Sequence, residues 1–347
     1  MLLYLHIPFC DSKCSYCSFN SYTNMSSYYQ KYMSALKLSL ERSIKEINSF
    51  ETIFIGGGTP STINPKEYED IFKILEEHID SSCEITVEAN PNSATKEWLK
   101  EMFNLGVNRV SFGVQSFNDK KLKILNRAHS SKEAIKAVEN ASRVGFKNIS
   151  LDIIYDLYID TKELILNDLE LAFKLPINHI SSYELTIEKA TAFTKMPEVK
   201  KDNSELGFFL RDYIVSMGFE QYEVSNYGRY KSRHNLGYWQ HKEYLGIGAG
   251  AVGFIKDRRL YPHTNIEKFI KEPHFNRVEE LSKNDILTEK IFLGLRSIIG
   301  IKKELLPKNM QQNADILVDE KKLELRDNTY YNKEFFLSDE LALFILR

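Results

Sequence analysis

Six short runs of β-branched and aromatic residues alternate with helical-period segments through the first half of the chain. This alternation limits the fold more than any other feature. The runs are LLYLHI (Leu2 to Ile7), TIFIGG (Thr52 to Gly57), EITVEA (Glu84 to Ala89), RVSFGV (Arg109 to Val114), NISLDIIY (Asn148 to Tyr155) and HISSYEL (His179 to Leu185). Between them lie SSYYQKYMSALKLSLERSIKEI, PKEYEDIFKILEEHI, TKEWLKEMFNLG, SKEAIKAVENASRVG and TKELILNDLELAFKL. Strands separated by amphipathic helices are joined by crossovers and so run parallel, as βαβ units. Gly106 and Gly145 follow two of the helical segments, where a left-handed residue closes a helix. The spacing suits an α/β barrel or part of one; a doubly wound open sheet is the other topology it allows.

After Leu185 the texture changes. LGFFLRDYIVSMGF reads as a helix, YEVSNYG as a strand entering a loop, and LGIGAGAVG as a glycine-rich turn. The remainder is rich in Lys and Glu and ends in KKLELRDNTYYNKEFFLSDELALFIL. Two domains are expected: residues 1–255 as the α/β unit, and residues 256–347 as a small, mainly helical unit closing on a β-hairpin and a helix. Hydrophobic residues make up 43% of the 347, enough for a sizeable core. The formal net charge of −2 offers no basic footprint for nucleic acid. No apolar run reaches the length of about 18 residues that a membrane span needs. The start, MLLYLHIPF, lacks the basic region and cleavage site of a signal peptide. With only four cysteines the chain is no secreted disulfide scaffold. A cytoplasmic protein is the expectation.

Three of those cysteines, Cys10, Cys14 and Cys17, fall within HIPFCDSKCSYCSF, just beyond the first strand; the fourth is Cys83. A structural zinc site needs four ligands, for which His6 and Cys83 are the nearest candidates. Iron–sulfur clusters are held by thiolates, usually four; with three, one iron keeps an open position for a cofactor or substrate. A loop following a barrel strand is where such folds place their chemistry.

Other polar residues and glycines mark the ends of the later strands. GGGTPS (Gly56 to Ser61) lets backbone amides approach a ligand closely through Gly57, Gly58 and Thr59. Glu88 ends the third strand in TVEANP, Gln115 follows the fourth in GVQSF, and Arg127 lies downstream in LNRAH. Asp152 sits inside the fifth strand, where a charge is costly unless paired or used.

CDSKCSYC, with Tyr16 before the last cysteine, resembles the signature of the radical S-adenosylmethionine superfamily. The resemblance implies a partial (β/α)6 barrel and a 4Fe–4S cluster on Cys10, Cys14 and Cys17. It also implies S-adenosylmethionine bound at the open iron and cleaved reductively to a deoxyadenosyl radical. Taken in order, Tyr4 in YLHIPFC, Tyr16, the GGGTP loop, Glu88, Gln115, Arg127 and Asp152 resemble the cofactor pocket of the oxygen-independent coproporphyrinogen III oxidase-like family. The likeness runs from Tyr4 to about Gly253 and continues more weakly through FLGLRSIIGI (Phe292 to Ile301).

That family has an enzyme branch, which decarboxylates two propionates of coproporphyrinogen III, and a haem chaperone branch, which carries haem to acceptor proteins. Three features resemble the chaperone branch. The chain starts three residues before Tyr4, without the long extension of the oxidase; Phe19 stands where the oxidase has a further cysteine; and HNLGYW (His234 to Trp239) resembles the chaperones' HNxxYW motif. The resemblance makes His234 the expected haem-binding residue and implies haem, haem-acceptor proteins and a reductant protein as partners. It implies no catalytic residue, and peripheral association with a membrane is an open expectation. Two departures stand out: IYDLY has Asp156 and Tyr158 where the family has Gly and Pro, and Val252 replaces a His common in the chaperone branch.

Overall fold

The structure is a computed structural model describing residues 1–347. β1 (Leu2–Ile7), β2 (Thr52–Gly57), β3 (Glu84–Ala89), β4 (Arg109–Gln115), β5 (Asn148–Tyr155) and β6 (His179–Glu184) pair in parallel and in chain order. The crossovers are α1 (Tyr29–Ser43), α2 (Lys66–Leu75), α3 (Lys96–Asn104), α4 (Asp119–Ile124), α5 (Ser131–Val144) and α6 (Lys162–Phe173). The short α4 had no apolar period to announce it; Asn118 starts it by accepting from the Lys120 and Lys121 amides. Gly106 and Gly145 take positive φ, 103° and 127°, at the ends of α3 and α5, as their positions foretold.

Alternation along each strand sorts the two faces. Leu3, Leu5, Ile53, Ile55, Ile85, Val87, Val110, Phe112, Ile149 and Leu151 join the helices in one continuous core. Each such aliphatic side chain, fully buried, contributes about 1.5–3 kcal/mol. The intervening residues, among them Tyr4, His6, Thr86, Glu88, Arg109, Ser111 and Asp152, occupy the concave face. An inner face this polar is unsuited to a packed barrel interior, and it surrounds cavities instead.

The sheet extends beyond the six expected strands. Past β6 it adds the short antiparallel β7 (Glu220–Gln221) and β8 (Asn226–Gly228), reached through α7 (Ser204–Ser216). Following α8 (Arg233–Trp239), β9 (Tyr244–Ile247) pairs in parallel with the outer side of β1. β10 (Gly253–Ile255), β11 (Arg258–Tyr261) and β12 (Arg277–Glu280) then continue antiparallel. The ends of this twelve-stranded sheet do not pair with each other, so the barrel is partial.

The main sheet and core continue past the expected division at residues 255/256. β11 and β12 belong to the main sheet, and α9 (Ile266–Lys271) places Ile266 and Phe269 in the main core. A separate core begins only with α10 (Lys283–Leu295). It is completed by β13 (Ile301–Lys302), α11 (Lys308–Asp319), β14 (Leu323–Arg326), β15 (Thr329–Asn332) and α12 (Ser338–Ile345). β12 is exposed along its whole length, and its sequence, RVEE, carries little apolar signal. No helix is long and apolar enough to cross a membrane.

Candidate functional site

The cysteine loop lies over the C-terminal ends of the strands and is held by its backbone. Cys10 N–H donates to Tyr22 O at 3.0 Å, Ser15 N–H to Leu125 O at 3.1 Å, and Phe193 N–H to Ser15 O at 3.1 Å. Asn126 Nδ2 donates to Lys13 O at 2.8 Å. Tyr16 packs on a satellite cluster that includes Leu125, Ile154 and Phe193. The loop is therefore fixed by groups other than its thiols. Cys10, Cys14 and Cys17 are free and partly accessible.

All three thiols line a cavity of about 410 Å³ together with Tyr16, Gly57, Gly58, Thr59, Glu88, Gln115, Arg127 and Asp152. Of the residues singled out for cofactor binding, only Tyr4 lies elsewhere. Its hydroxyl pairs with His6 Nδ1 at 2.9 Å, and its ring lines a neighbouring cavity. Gly57 has φ 117°, and a Cβ there would overlap the His6 ring, so the β2 turn needs glycine.

Arg127 ties three elements together. Its guanidinium donates to Cys14 Sγ at 3.0 Å, and to Asn90 Oδ1 and Gly113 O at 2.6 Å each. Thr59 Oγ1 donates to Cys10 Sγ at 3.5 Å. Gln115 ends β4 at φ 67°, just past a register shift against β5, and this bulge turns its side chain into the cavity. Two buried polar atoms in this wall have no partner: Gln115 Oε1 and Arg127 Nε. An acceptor and a cationic donor left open side by side suit a ligand carrying both an amino or hydroxyl group and a carboxylate.

Two carboxylates complete the wall. Glu88 Oε2 accepts from Gly57 N–H at 3.0 Å. Burial, and then the neighbouring Asp152, push its pKa up to about 7. Burial pushes Asp152 up to about 6, opposed by hydrogen bonds and by Arg109 and Arg127. Both are poised as hydrogen-bonding groups for hydroxyls or an ammonium.

The geometry removes the fourth-ligand candidates for a structural zinc. Both ring nitrogens of His6 are engaged, Nδ1 with Tyr4 and Nε2 with Asn20 O at 2.9 Å. Cys83 immediately precedes β3, at the opposite end of the sheet from the cysteine loop, and is buried in the core. No three His, Cys, Asp or Glu side chains converge as a single metal ion requires. A cubane cluster takes one thiolate per iron, a wider arrangement that three loop cysteines suit.

A second cavity, about 600 Å³, adjoins the first and shares Phe19, Gly57 and Glu88 with it. Its walls include Tyr4, Phe54, His234, Tyr238, Tyr244 and Phe254, with Glu289 and Leu293 coming from α10. His234 lies in this wall with both ring nitrogens hydrogen-bonded. Its Nδ1 pairs with Thr52 Oγ1 at 2.7 Å and its Nε2 with the Tyr238 hydroxyl at 2.9 Å. The residue is only 1% exposed. Burial, with Arg109 nearby, lowers its pKa to about 3, so the ring is neutral. Glu84 anchors this helix by accepting from the Arg233 and His234 amides at 3.0 Å each. In this conformation the imidazole of His234, the expected haem-binding residue, bridges β2 and Tyr238.

Sequence reasoning missed Asn90 and Gly113. Asn90 accepts from Arg127 and donates to Thr59 Oγ1 at 3.2 Å. Its signal was its place after Glu88 at a strand end. The departure at Asp156 has a local explanation. It takes φ 76°, where glycine is comfortable, and its carboxylate accepts from the Asp202 and Asn203 amides. Aspartate tolerates this region better than most residues. Val252 lines the second cavity.

Residues 4–172 match the Radical SAM superfamily. The chain is 35% identical over 318 residues to "Heme chaperone HemW" of Lactococcus lactis, covering 86% of this chain and 82% of that one. It is 31% identical to the protein of that name from Bacillus subtilis, covering 90% and 87%. To that of Escherichia coli K12 it is 36% identical, covering 78% and 74%. In structure it is similar to the coproporphyrinogen III oxidase HemN of Escherichia coli, with TM-score 0.84 over 99% of this chain and 89% of that one. At 17% identity that likeness shows a common fold alone. On the strength of the long, well-covered alignments, the chain belongs to the HemW family within the radical SAM superfamily.

Proposed function

We propose that this protein is a haem chaperone, taking up haem in the 600 Å³ cavity and passing it to acceptor proteins. The observation that carries the reading is similarity to proteins named "Heme chaperone HemW" along most of the chain. The cavity supports it. Tyr4, Phe54, Tyr244 and Phe254 offer flat apolar faces for a porphyrin, and Lys242 and Arg259 offer cations for its propionates.

Cys10, Cys14 and Cys17 would hold a 4Fe–4S cluster. Thr59 and Arg127, already hydrogen-bonded to two of the thiols, would stabilise them as thiolates. Arg127 Nε would receive the carboxylate of S-adenosylmethionine and Gln115 Oε1 its amino group or a hydroxyl, which satisfies both orphaned atoms. Glu88 and Asp152 would accept from the remaining hydroxyls. When bound, the cluster supplies the electron for sulfonium cleavage. The chain's own contribution is to fix these groups on rigid strand ends and to set this pocket against the haem cavity across Gly57 and Glu88. A reductant protein and a membrane surface belong to this reading as partners.

The test is a titration of the anaerobically purified, cluster-loaded chain with haemin, followed by mixing with a haem-free haemoprotein. Saturable uptake and subsequent transfer support the reading. Vinyl-bearing product from coproporphyrinogen III, S-adenosylmethionine and a reductant, without stable haem uptake, would replace it with the decarboxylase reading.

A further inference from the structure

Gln115 stands in a backbone conformation that its residue type does not favour. Its φ is 67°, and the Ser116 N–H donates across it to Val114 O at 2.9 Å. A three-residue turn with a positive central φ is rare and strained for any residue but glycine. The turn sits at the bulge of β4. Phe112 pairs with Leu151 and Gln115 with Ile153, so Gly113 and Val114 fall outside the paired register. Strain of this kind persists only where the surroundings over-determine it.

Two buried side chains that do not line the smaller cavity supply those surroundings. His129 Nε2 donates to Val114 O at 3.0 Å. Arg127, two residues earlier, takes the preceding carbonyl, Gly113 O, so one segment grips both carbonyls of the bulge. His129 is only 5% exposed, and its Nδ1 has no partner. Burial, with Arg127 nearby, lowers its pKa to about 4, so the ring is neutral and carries its proton on Nε2. An orphaned buried nitrogen is a cost, and the bond to Val114 is what offsets it. On the other side of the turn, Asp168 of α6 accepts from Ser116 Oγ at 2.6 Å and from Phe117 N–H at 2.7 Å. Its charge is balanced by Lys121, which pairs with Asp160 at 2.8 Å with neither side chain exposed.

We infer that His129 and Asp168 are positioning residues that lock this turn from either side and so hold the Gln115 amide preformed in the smaller cavity; this rests on reading that cavity as the S-adenosylmethionine pocket. Gln115 itself is buried, with Oε1 unpaired. A ligand therefore meets an acceptor already oriented, and the cost of ordering it falls on folding rather than on binding.

The test is calorimetric titration of the anaerobically purified, cluster-loaded full chain with S-adenosylmethionine. Circular dichroism and iron–sulfur content would be checked in each variant. His129→Leu, which loses the donor, should bind roughly three- to tenfold more weakly. His129→Gln, whose amide can still donate to Val114 O, should recover most of that loss. In a Gln115→Ala background, His129→Leu should cost little further, since the group it positions is already gone. Asp168→Asn keeps one acceptor and gives up the other; it is the milder second probe and should show the same dependence on Gln115. Thermal melting reads the strain without the cofactor: Gln115→Gly should unfold at a higher temperature than Gln115→Ala. Wild-type affinity in folded His129→Leu and Asp168→Asn, or an equal loss with and without Gln115, would overturn the inference and leave the pocket reading intact. Equal melting of the two Gln115 variants would do the same. A wild type that binds no S-adenosylmethionine would overturn both.

Discussion

Arg127 carries more of this site than any other side chain, because it joins Cys14, Asn90 and the β4 backbone through one guanidinium. Arg127→Ala removes a charge-assisted contact worth about 1.5–3 kcal/mol. Calorimetry should show S-adenosylmethionine affinity falling by roughly ten- to a hundredfold; unchanged affinity would remove Arg127 from the pocket. The thiols divide cleanly. Iron and acid-labile sulfide should be lost in Cys10→Ala, Cys14→Ala or Cys17→Ala and kept in Cys83→Ala, since Cys83 lies in the core away from the loop. Glu88 gives a pH-dependent signature. Its pKa rises from 4.5 to about 7 on folding, so the folded, cofactor-free chain holds this proton more tightly than the unfolded chain. The corresponding stability is present below pH 4.5 and is lost as pH rises through about 7. Glu88→Gln should abolish that decline. Because the carboxylate borders two cavities, the gain at pH 8 should be about 1–2 kcal/mol, read from urea unfolding at a series of pH values. A variant with the wild-type pH profile would show that Glu88 is ordinarily ionised.

At the scale of the element, β4 shows how a strand end becomes a binding surface. Its bulge leaves Gln115 at a positive φ, and Gly113 leaves room beside it. A Cβ on Gly113 would sit 3.1 Å from both Arg127 Nη2 and Gln115 Nε2 and 3.3 Å from Asn90 Oδ1. Gly113→Ala should therefore push the guanidinium off its carbonyl and weaken cofactor binding several-fold, at little loss of melting temperature. Wild-type affinity would mean that the Arg127 side chain has slack. The same strand shows what the sequence could disclose. Period-two alternation and β-branched content made the first six parallel strands legible, though not β9, and the polar residues at their ends pointed to one pocket. Gly113 and Asn90 were not legible, because their roles depend on where Arg127 folds back, a contact between distant segments. The hydrogen bonding of His234 was not legible for a related reason. HNLGYW marks the cavity wall, but only the packing of Thr52 and Tyr238 shows that both ring nitrogens are taken. That β12 and α9 join the main sheet and core was not legible, because sheet-edge strands and short helices carry little apolar periodicity.

For the molecule as a whole, the two cavities draw on different parts of the chain. Every residue around the smaller one lies at or before Glu188, within the barrel and its loops. The larger one is closed by Glu289 and Leu293 of α10, beyond the division between the two cores. The C-terminal unit is fixed to the barrel by a strand-like clamp, Val224 N–H to Arg296 O at 2.9 Å and Ile298 N–H to Tyr222 O at 3.0 Å. His241 and Arg259 reach across to Glu289 beside it. Occupancy of the larger cavity should consequently tighten the joint between the units, whereas occupancy of the smaller one should not. Hydrogen exchange can read both. S-adenosylmethionine should slow exchange around residues 10–22, 57–62 and 113–127. Haem should slow it around residues 233–254 and in α10, with overlap confined to the wall formed by Phe19, Gly57 and Glu88. A ligand ordering groups that otherwise open locally raises their protection in proportion to its binding free energy. If haem protected only the barrel loops and left α10 exchanging as before, haem would be bound somewhere other than the cavity between the two units.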